Sequence, residues 1–194
     1  MDEKRLLEKY RNKQLKGADP RPHLDIGSVY HNDTISIVFG GSRQKGIKRA
    51  SGSNIVTVFS TAKSFDDIYI RDLDVMLYHG ANVKGDVAGV RDQSIDDVAN
   101  GNRYLKEAYI NGSPVLLFYD PVGSDSVYKG SKVVFMEPYY QISGGKGRKE
   151  VVFPLTDGEK WNSMNESERD QFVEQVKSMM SFQGVEPIKC NWRI

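Results

Sequence analysis

The residues with the strongest chemical character lie between Tyr69 and Lys106. Asp72 and Asp74 alternate with apolar neighbours just before a short apolar strand, 75–78, which stops abruptly at His79-Gly80. A carboxylate that turns inward in such a setting needs a hydrogen-bonding partner, and a bound ligand can supply one. Tyr69 and Tyr78 offer flat ring faces on the same stretch. A glycine-bearing loop, 81–93, follows, and then a segment carrying Asn102 and Arg103. Together these residues suit a polar pocket with a loop over it.

Two other segments combine glycine with cations. Residues 40–49 hold Arg43, Lys45, Lys48 and Arg49 among three glycines, with no acid. Residues 143–149 repeat the pattern with Lys146 and Arg148. Glycine and serine let a backbone approach a phosphate closely, and Arg or Lys neutralises it. A solvated surface loop reads equally well. No Gly-Lys-Ser/Thr closes the first segment, so it is not a P-loop.

Catalytic signatures are missing from the pattern. There are three histidines, His23, His31 and His79, and one cysteine, Cys190. No HExxH, CxxC or GxSxG occurs. Asp157 with Glu159-Lys160 faintly resembles an acid-x-lysine nuclease signature, but its spacing is poor and it precedes a helix. No metal or other cofactor is expected.

The elements that position these residues follow from periodicity. Residues 2–16 read as an N-terminal helix. Residues 35–39 read as a short helix behind Asn32 or Asp33, or as a strand. Strands are expected at 54–60, 75–78, 113–119 and 151–155, and a hairpin about a Lys129-Gly130 turn. A helix is expected from Ser94, with Asp97 as its capping acid and Ile95, Val98, Ala99, Asn102, Leu105 and Tyr109 inward. Gly101 marks a possible break in it. The foremost reading of Asn102 is a satisfied core amide. Asn165 and Glu168 form a capping box before a helix whose apolar face is Phe172, Val173, Val176, Met179 and Met180.

With 27 basic and 26 acidic residues the net charge is +1. That argues against coating nucleic acid by bulk charge, although a local basic face remains open. No stretch approaches the roughly 20 apolar residues of a membrane span. The charged N-terminus has no apolar signal region. An intracellular, cytoplasmic protein with no membrane partner is the expectation.

The order of features across residues 27–155 resembles an SRA (SET- and RING-associated, or YDG) domain. It is most similar to the SRA-like N-terminal modules of bacterial McrA-type, HNH-bearing modification-dependent restriction proteins. The matching pieces are Gly27-Ser28-Val29-Tyr30, Val38-Phe39-Gly40 leading to Gly46-Ile47, the strand at 54–60 and the aromatic-and-aspartate run ending in Tyr78-His79-Gly80. Gly85-Asp86, Asp92-Gln93-Ser94, Asn102, Leu105, Val115 to Phe118, and Tyr128-Lys129-Gly130 through Phe153-Pro154-Leu155 complete them.

The resemblance implies an α+β fold: a PUA-like, SRA-like twisted β-barrel flanked by helices. It divides the chain into an N-terminal helix and linker (1–22), the DNA-binding domain (23–156) and a helical extension (157–194). It implies binding of double-stranded DNA and flipping of a modified cytosine, methylated, hydroxymethylated or glucosylated, into a pocket. Tyr78 would stack on the base, with Tyr69 as a second ring and His79 and Gly80 beside it. Asp72 or Asp74 would accept from the cytosine amine, which is a donor. Arg43, Lys45, Lys48, Arg49, Lys146 and Arg148 would hold phosphates. Lys84, Arg91, Gln93, Asn102 and Arg103 would meet the duplex as the 81–93 loop fills the vacated stack. The family usually carries Tyr-Thr-Gly where this chain has Tyr78-His79-Gly80, and histidine is bulkier and can donate or accept. A nuclease domain or subunit would act beside this recognition module. Two rival readings are a metal-dependent nuclease using Asp66, Asp67, Asp157 and Glu159, and an RNA-binding or protein-interaction module on the same scaffold.

Overall fold

Runs of Val, Leu, Phe and Ile supply the strands, and amphipathic segments supply the helices. The structure, a computed structural model, describes residues 3–11, 19–39, 46–49, 53–61, 67–83, 85–86, 88–97, 99, 101–120, 125–143, 147–182, 184–185 and 187–189. In order these form α1 (Glu3–Arg11), β1 (Val29–His31), α2 (Asn32–Phe39), β2 (Ile47–Arg49), β3 (Val56–Thr61), β4 (Ile68–Ile70), β5 (Val75–His79) and α3 (Asn102–Asn111). Then follow β6 (Val115–Asp120), β7 (Asp125–Val134), β8 (Tyr139–Ile142), β9 (Lys149–Asp157), α4 (Gly158–Ser163), α5 (Glu166–Phe182) and β10 (Ile188–Lys189). Short 3-10 turns occupy Arg21–His23 and Arg71–Leu73.

The strands form one mixed sheet in the order β10-β8-β9-β7-β6-β3-β2, with β1 beside β7 and the β4–β5 hairpin beside β9. β3 and β6 are parallel, and the other pairs are antiparallel. Among the described residues the path runs from β10 to β2 without joining, so the expected barrel is an unclosed sheet with flanking helices. It nevertheless curls. Ile47, Val58, Tyr78, Leu117, Val134 and Phe153, from six strands, meet in one core on its inner face together with Leu105 of α3.

Two further cores lie outside that curl. α1 and α2 cover Phe59, Leu116, Phe118 and Tyr128 with Leu6, Ile35, Val38 and Phe39. Phe118 is fully buried, its ring 5.6 Å from that of Phe59 and 5.1 Å from that of Tyr128. Burying such a side chain contributes about 1.5–3 kcal/mol. On the other side, Phe172, Val176 and Met180 of α5 cover Val75, Leu77 and Val152. β9 therefore feeds both faces: Val151, Phe153 and Leu155 go to the inner core and Val152 to the helix side. A strand covered on both faces reads as the continuous apolar run seen at 151–155. The capping box on α5 is present: Asn165 Oδ1 accepts the Glu168 N–H (3.0 Å), and Glu168 Oε2 accepts the Asn165 N–H (2.7 Å).

Two local expectations are corrected. The helix expected from Ser94 begins only at Asn102, because Gly101 adopts φ +96° and breaks the segment there. The Ser94 hydroxyl instead accepts the Asp96 N–H in a local turn (3.3 Å). Lys129-Gly130 is no hairpin turn. β7 runs straight through it, and Gly130 takes φ +98° near a register shift against β6. A bulge needs a residue that tolerates such a backbone, as glycine does.

Candidate functional site

β5 delivers Tyr78, His79 and Gly80 to the inner face, but not as an open wall. Tyr78 is 1% exposed, and its hydroxyl donates to the carbonyls of Phe59 (3.3 Å) and Gly46 (3.4 Å). Burial, with Asp67 nearby, pushes its phenol well above the ordinary value. In this structure it is a core ring, because its flanks are occupied by apolar side chains of the inner core.

The aspartate brought to this end of β5 is Asp67, not Asp72 or Asp74. Asp67 Oδ1 accepts the His79 N–H (2.8 Å), and Oδ2 accepts the Ser60 hydroxyl (2.7 Å). Its side chain is 5% exposed. The buried His79 ring has Nε2 2.6 Å from Gln141 Nε2 and Nδ1 3.5 Å from Asp67 Oδ1. Nδ1 makes no hydrogen bond among the described residues. The sequence offered Asp67 only for a rival nuclease site. The only available signal was its position one residue before an alternating apolar run.

Next to this lies a polar clasp. A Cβ on Gly80 would fall 2.4 Å from Val151 Cγ1 and 2.7 Å from Asn102 Oδ1, so only glycine fits. Asn102 is fully buried: Oδ1 accepts the Ala81 N–H (2.7 Å), and Nδ2 donates to the carbonyls of Ser94 (2.9 Å) and Ala81 (3.0 Å). Gln93 donates to the Gly80 carbonyl (2.7 Å) and accepts the Val151 N–H (3.0 Å). Arg148, 3% exposed, donates to Glu150 (2.6 and 2.9 Å) and Asn82 (2.7 Å) and lies 3.6 Å from Asp86. Asp86 accepts N–H groups from Arg91 and Val90, which with Arg148 hold its carboxyl below the usual range.

These placements correct several duplex and phosphate assignments. Gln93, Asn102 and Arg148 direct their polar atoms into the clasp, and buried polar groups of this kind are taken up by protein partners. Lys48 is 3% exposed; it donates to Ser36 Oγ (2.7 Å) and lies 4.5 Å from the Phe59 ring centroid. Burial pulls its amine down to about 8. Arg49 pairs with Glu107 and stacks on Tyr104. Arg103, paired with the same Glu107, and Arg91 are exposed. Arg43, Lys45, Asp66, Lys84 and Lys146 lie outside the described residues.

The open part of the inner face is a cavity of about 480 Å³ lined by Tyr69, Arg71, Asp74, Met76, Leu117, Tyr119, Lys129 and Lys132. Register ties it to Asp67. Tyr119 pairs with Ser60, the residue that donates to Asp67, and Met76 is two residues before Tyr78 on the same face of β5. Asp74 Oδ1 accepts the Tyr69 hydroxyl (2.6 Å), and Oδ2 accepts Lys132 Nζ (3.1 Å). Burial works to raise the Asp74 carboxyl, but these two donors win and hold it below the ordinary value. The same bond, with burial, pushes Tyr69 up to about 12. Tyr119, Arg71, Lys129 and Lys132 were not singled out in the sequence, because nothing local marks their convergence. Asp72 is exposed on the neighbouring turn.

Asp157, offered for a nuclease site, caps α4 by accepting the Lys160 N–H (2.9 Å). Among the described residues, no group of three or more His, Cys, Asp or Glu gathers where it could hold a metal ion. No described helix is long and apolar enough to cross a membrane.

A curled mixed sheet, with helices outside it and a cavity on its inner face, defines an SRA-type fold. The chain belongs to the family described as "ScoMcrA-like, SRA domain", which it matches over residues 26–178. The sulfur-binding and SRA domains of ScoMcrA, solved with phosphorothioated DNA, are similar at a TM-score of 0.51 and 22% identity, over 69% of this chain and 40% of that one. The modification-dependent restriction endonuclease TagI is similar at 0.57 and 21% identity, over 71% and 50%. The SUVH5 SRA domain, solved with hemimethylated CG DNA, is similar at 0.54 and 21% identity, over 70% and 89%. The chain thus spans less than half of that ScoMcrA chain and half of TagI. No curated protein sequence matches it.

Proposed function

We propose that this chain binds double-stranded DNA carrying a modified cytosine, flips that base into the inner face of its sheet, and serves as the recognition module of a modification-dependent restriction system. A nuclease domain or subunit supplies the cut. The observation that supports this most is the cavity on the inner face, which Tyr69, Asp74 and Tyr119 line together. The family, and a relative solved with methylated DNA, support it.

The energetics are adequate. Flipping costs a few kcal/mol. Each ring that stacks on the base returns about 1–3 kcal/mol, and a hydrogen bond to a charged group about 1.5–3 kcal/mol. Tyr69 and Tyr119 are the stacking rings, and Asp74, on the cavity wall, is the acceptor for the cytosine amine. Arg71 and Lys129, exposed at the rim, face the phosphates.

The test compares binding of otherwise identical duplexes with unmodified, methylated and hydroxymethylated cytosine. Modified duplexes are expected to bind at least tenfold tighter. Asp74→Asn should abolish that preference while the melting transition survives. Equal binding to all duplexes would defeat the proposal.

A further inference from the structure

A second cavity, of about 510 Å³, lies on the other side of β7 from the first. We infer that it is a binding site for a cation carried on an aliphatic stem, an alkylammonium or alkylguanidinium group. The strand itself builds the site. Tyr128 and Ser131 are three residues apart and would face opposite sides of an unbroken strand. The bulge at Gly130, with φ +98°, sets both on this cavity and leaves Lys129 and Lys132 on the other one. The 3-10 turn at Arg21–His23 and helix α4 supply the flanking walls.

Tyr128 carries the first argument. It is 3% exposed, with its ring packed on Phe118 behind it, yet its hydroxyl makes no hydrogen bond among the described residues. A buried phenol ordinarily finds a partner. The charges that its hydroxyl feels are Arg21, Asp19 and Asp157, all on the walls of this cavity, so it points there.

Charge decides the sign of the ligand. Among the described residues the walls carry Asp19, Asp157 and Glu159 against Arg21 alone. Arg21 is already engaged, because its guanidinium donates to both oxygens of Asp19 (2.5–2.9 Å). Glu159 is exposed and unpaired among the described residues. An anion would meet excess carboxylate here, whereas a cation gains charge-assisted hydrogen bonds from Glu159 and the Tyr128 oxygen. Pro22, Leu24, Ile26 and Val133 make the rest of the lining apolar, and Ile26 is 76% exposed. A methylene stem covers such a surface while its charged head stays among polar groups.

The experiment is an NMR titration of this chain with butylguanidine, butylamine, the neutral butylurea, and end-blocked Gly-Arg-Gly and Gly-Lys-Gly peptides. The cationic probes are expected to shift the amides of Tyr128, Ser131 and Asn162 saturably and to bind at least tenfold tighter than butylurea. Peptides tighter than the free amines would assign the site to a basic side chain of a protein, and the reverse order to a free small cation; either supports the inference. Tyr128→Phe and Glu159→Gln should each weaken cation binding at least fivefold and leave the thermal transition unchanged. If Tyr128→Phe fails to fold, Glu159→Gln, altered at an exposed position, decides. Butylurea binding as tightly as butylguanidine, no saturable shift at these amides, or unchanged cation binding in Glu159→Gln would overturn the inference. None of the residues it uses lines the base cavity, so the outcome with DNA neither supports nor weakens it.

Discussion

The clasp around Arg148 and the cavity around Asp74 draw on the same residue types and do opposite things. In the clasp, Arg148, Glu150, Gln93 and Asn102 are all at most 5% exposed and bonded to one another or to backbone. In the cavity, Tyr69 is 48% exposed and Asp74's side chain 40%. A charged residue therefore says little by its type alone. What separates an architectural charge from a ligand-facing one is whether solvent still reaches it: Asp74 also has protein partners, Tyr69 and Lys132, but keeps an open side.

The largest effect that would break this contrast lies in the clasp. Arg148→Met should cost about 3–5 kcal/mol, since it leaves Glu150 buried without its partner. Urea unfolding of the variant measures it. Unchanged stability with weakened DNA binding would move Arg148 to the duplex surface.

Lys48 sharpens the same contrast. Its amine is pulled down from 10.5 to about 8, so between those values the unfolded chain binds more protons and stability rises with pH. Lys48→Met should flatten that rise and add about 1–3 kcal/mol at pH 7, by removing a charge that costs free energy to bury. Unfolding midpoints at pH 7 and pH 10 decide it; a variant less stable at pH 7 would contradict the burial argument.

The smallest effect belongs to the rim. Lys129→Ala should lower the slope of log affinity against log salt by about 1, weakening all duplexes alike. An unaltered slope would place Lys129 away from phosphate. A loss confined to modified duplexes would make it part of the base pocket.

Much of the fold is legible in the chain. The runs at 54–60, 113–119 and 151–155 and the Asn165–Glu168 box appear where local chemistry puts them, because strand burial and capping depend on neighbours within a few residues. The helix expected from Ser94 fails because Gly101 breaks it with a positive φ. The turn at Lys129-Gly130 fails because glycine serves a bulge as readily as a turn. The candidate site was half legible. Tyr69 and Asp74 line the cavity, whereas Tyr78 is interior.

By itself, the sequence determined which segments have apolar faces and where α5 is capped. Through the order of its motifs, it also determined the family. Only the tertiary structure decided which charges face inward. Parallel pairing of β3 with β6 sets Tyr119 beside Ser60, and folding of β4 against β5 sets Asp67 on His79. Hydrophobic period is a local property of the chain. Hydrogen-bond partnership and burial join residues far apart in it, such as Asp74 with Lys132 or Gln93 with Val151, and no spacing rule carries that information.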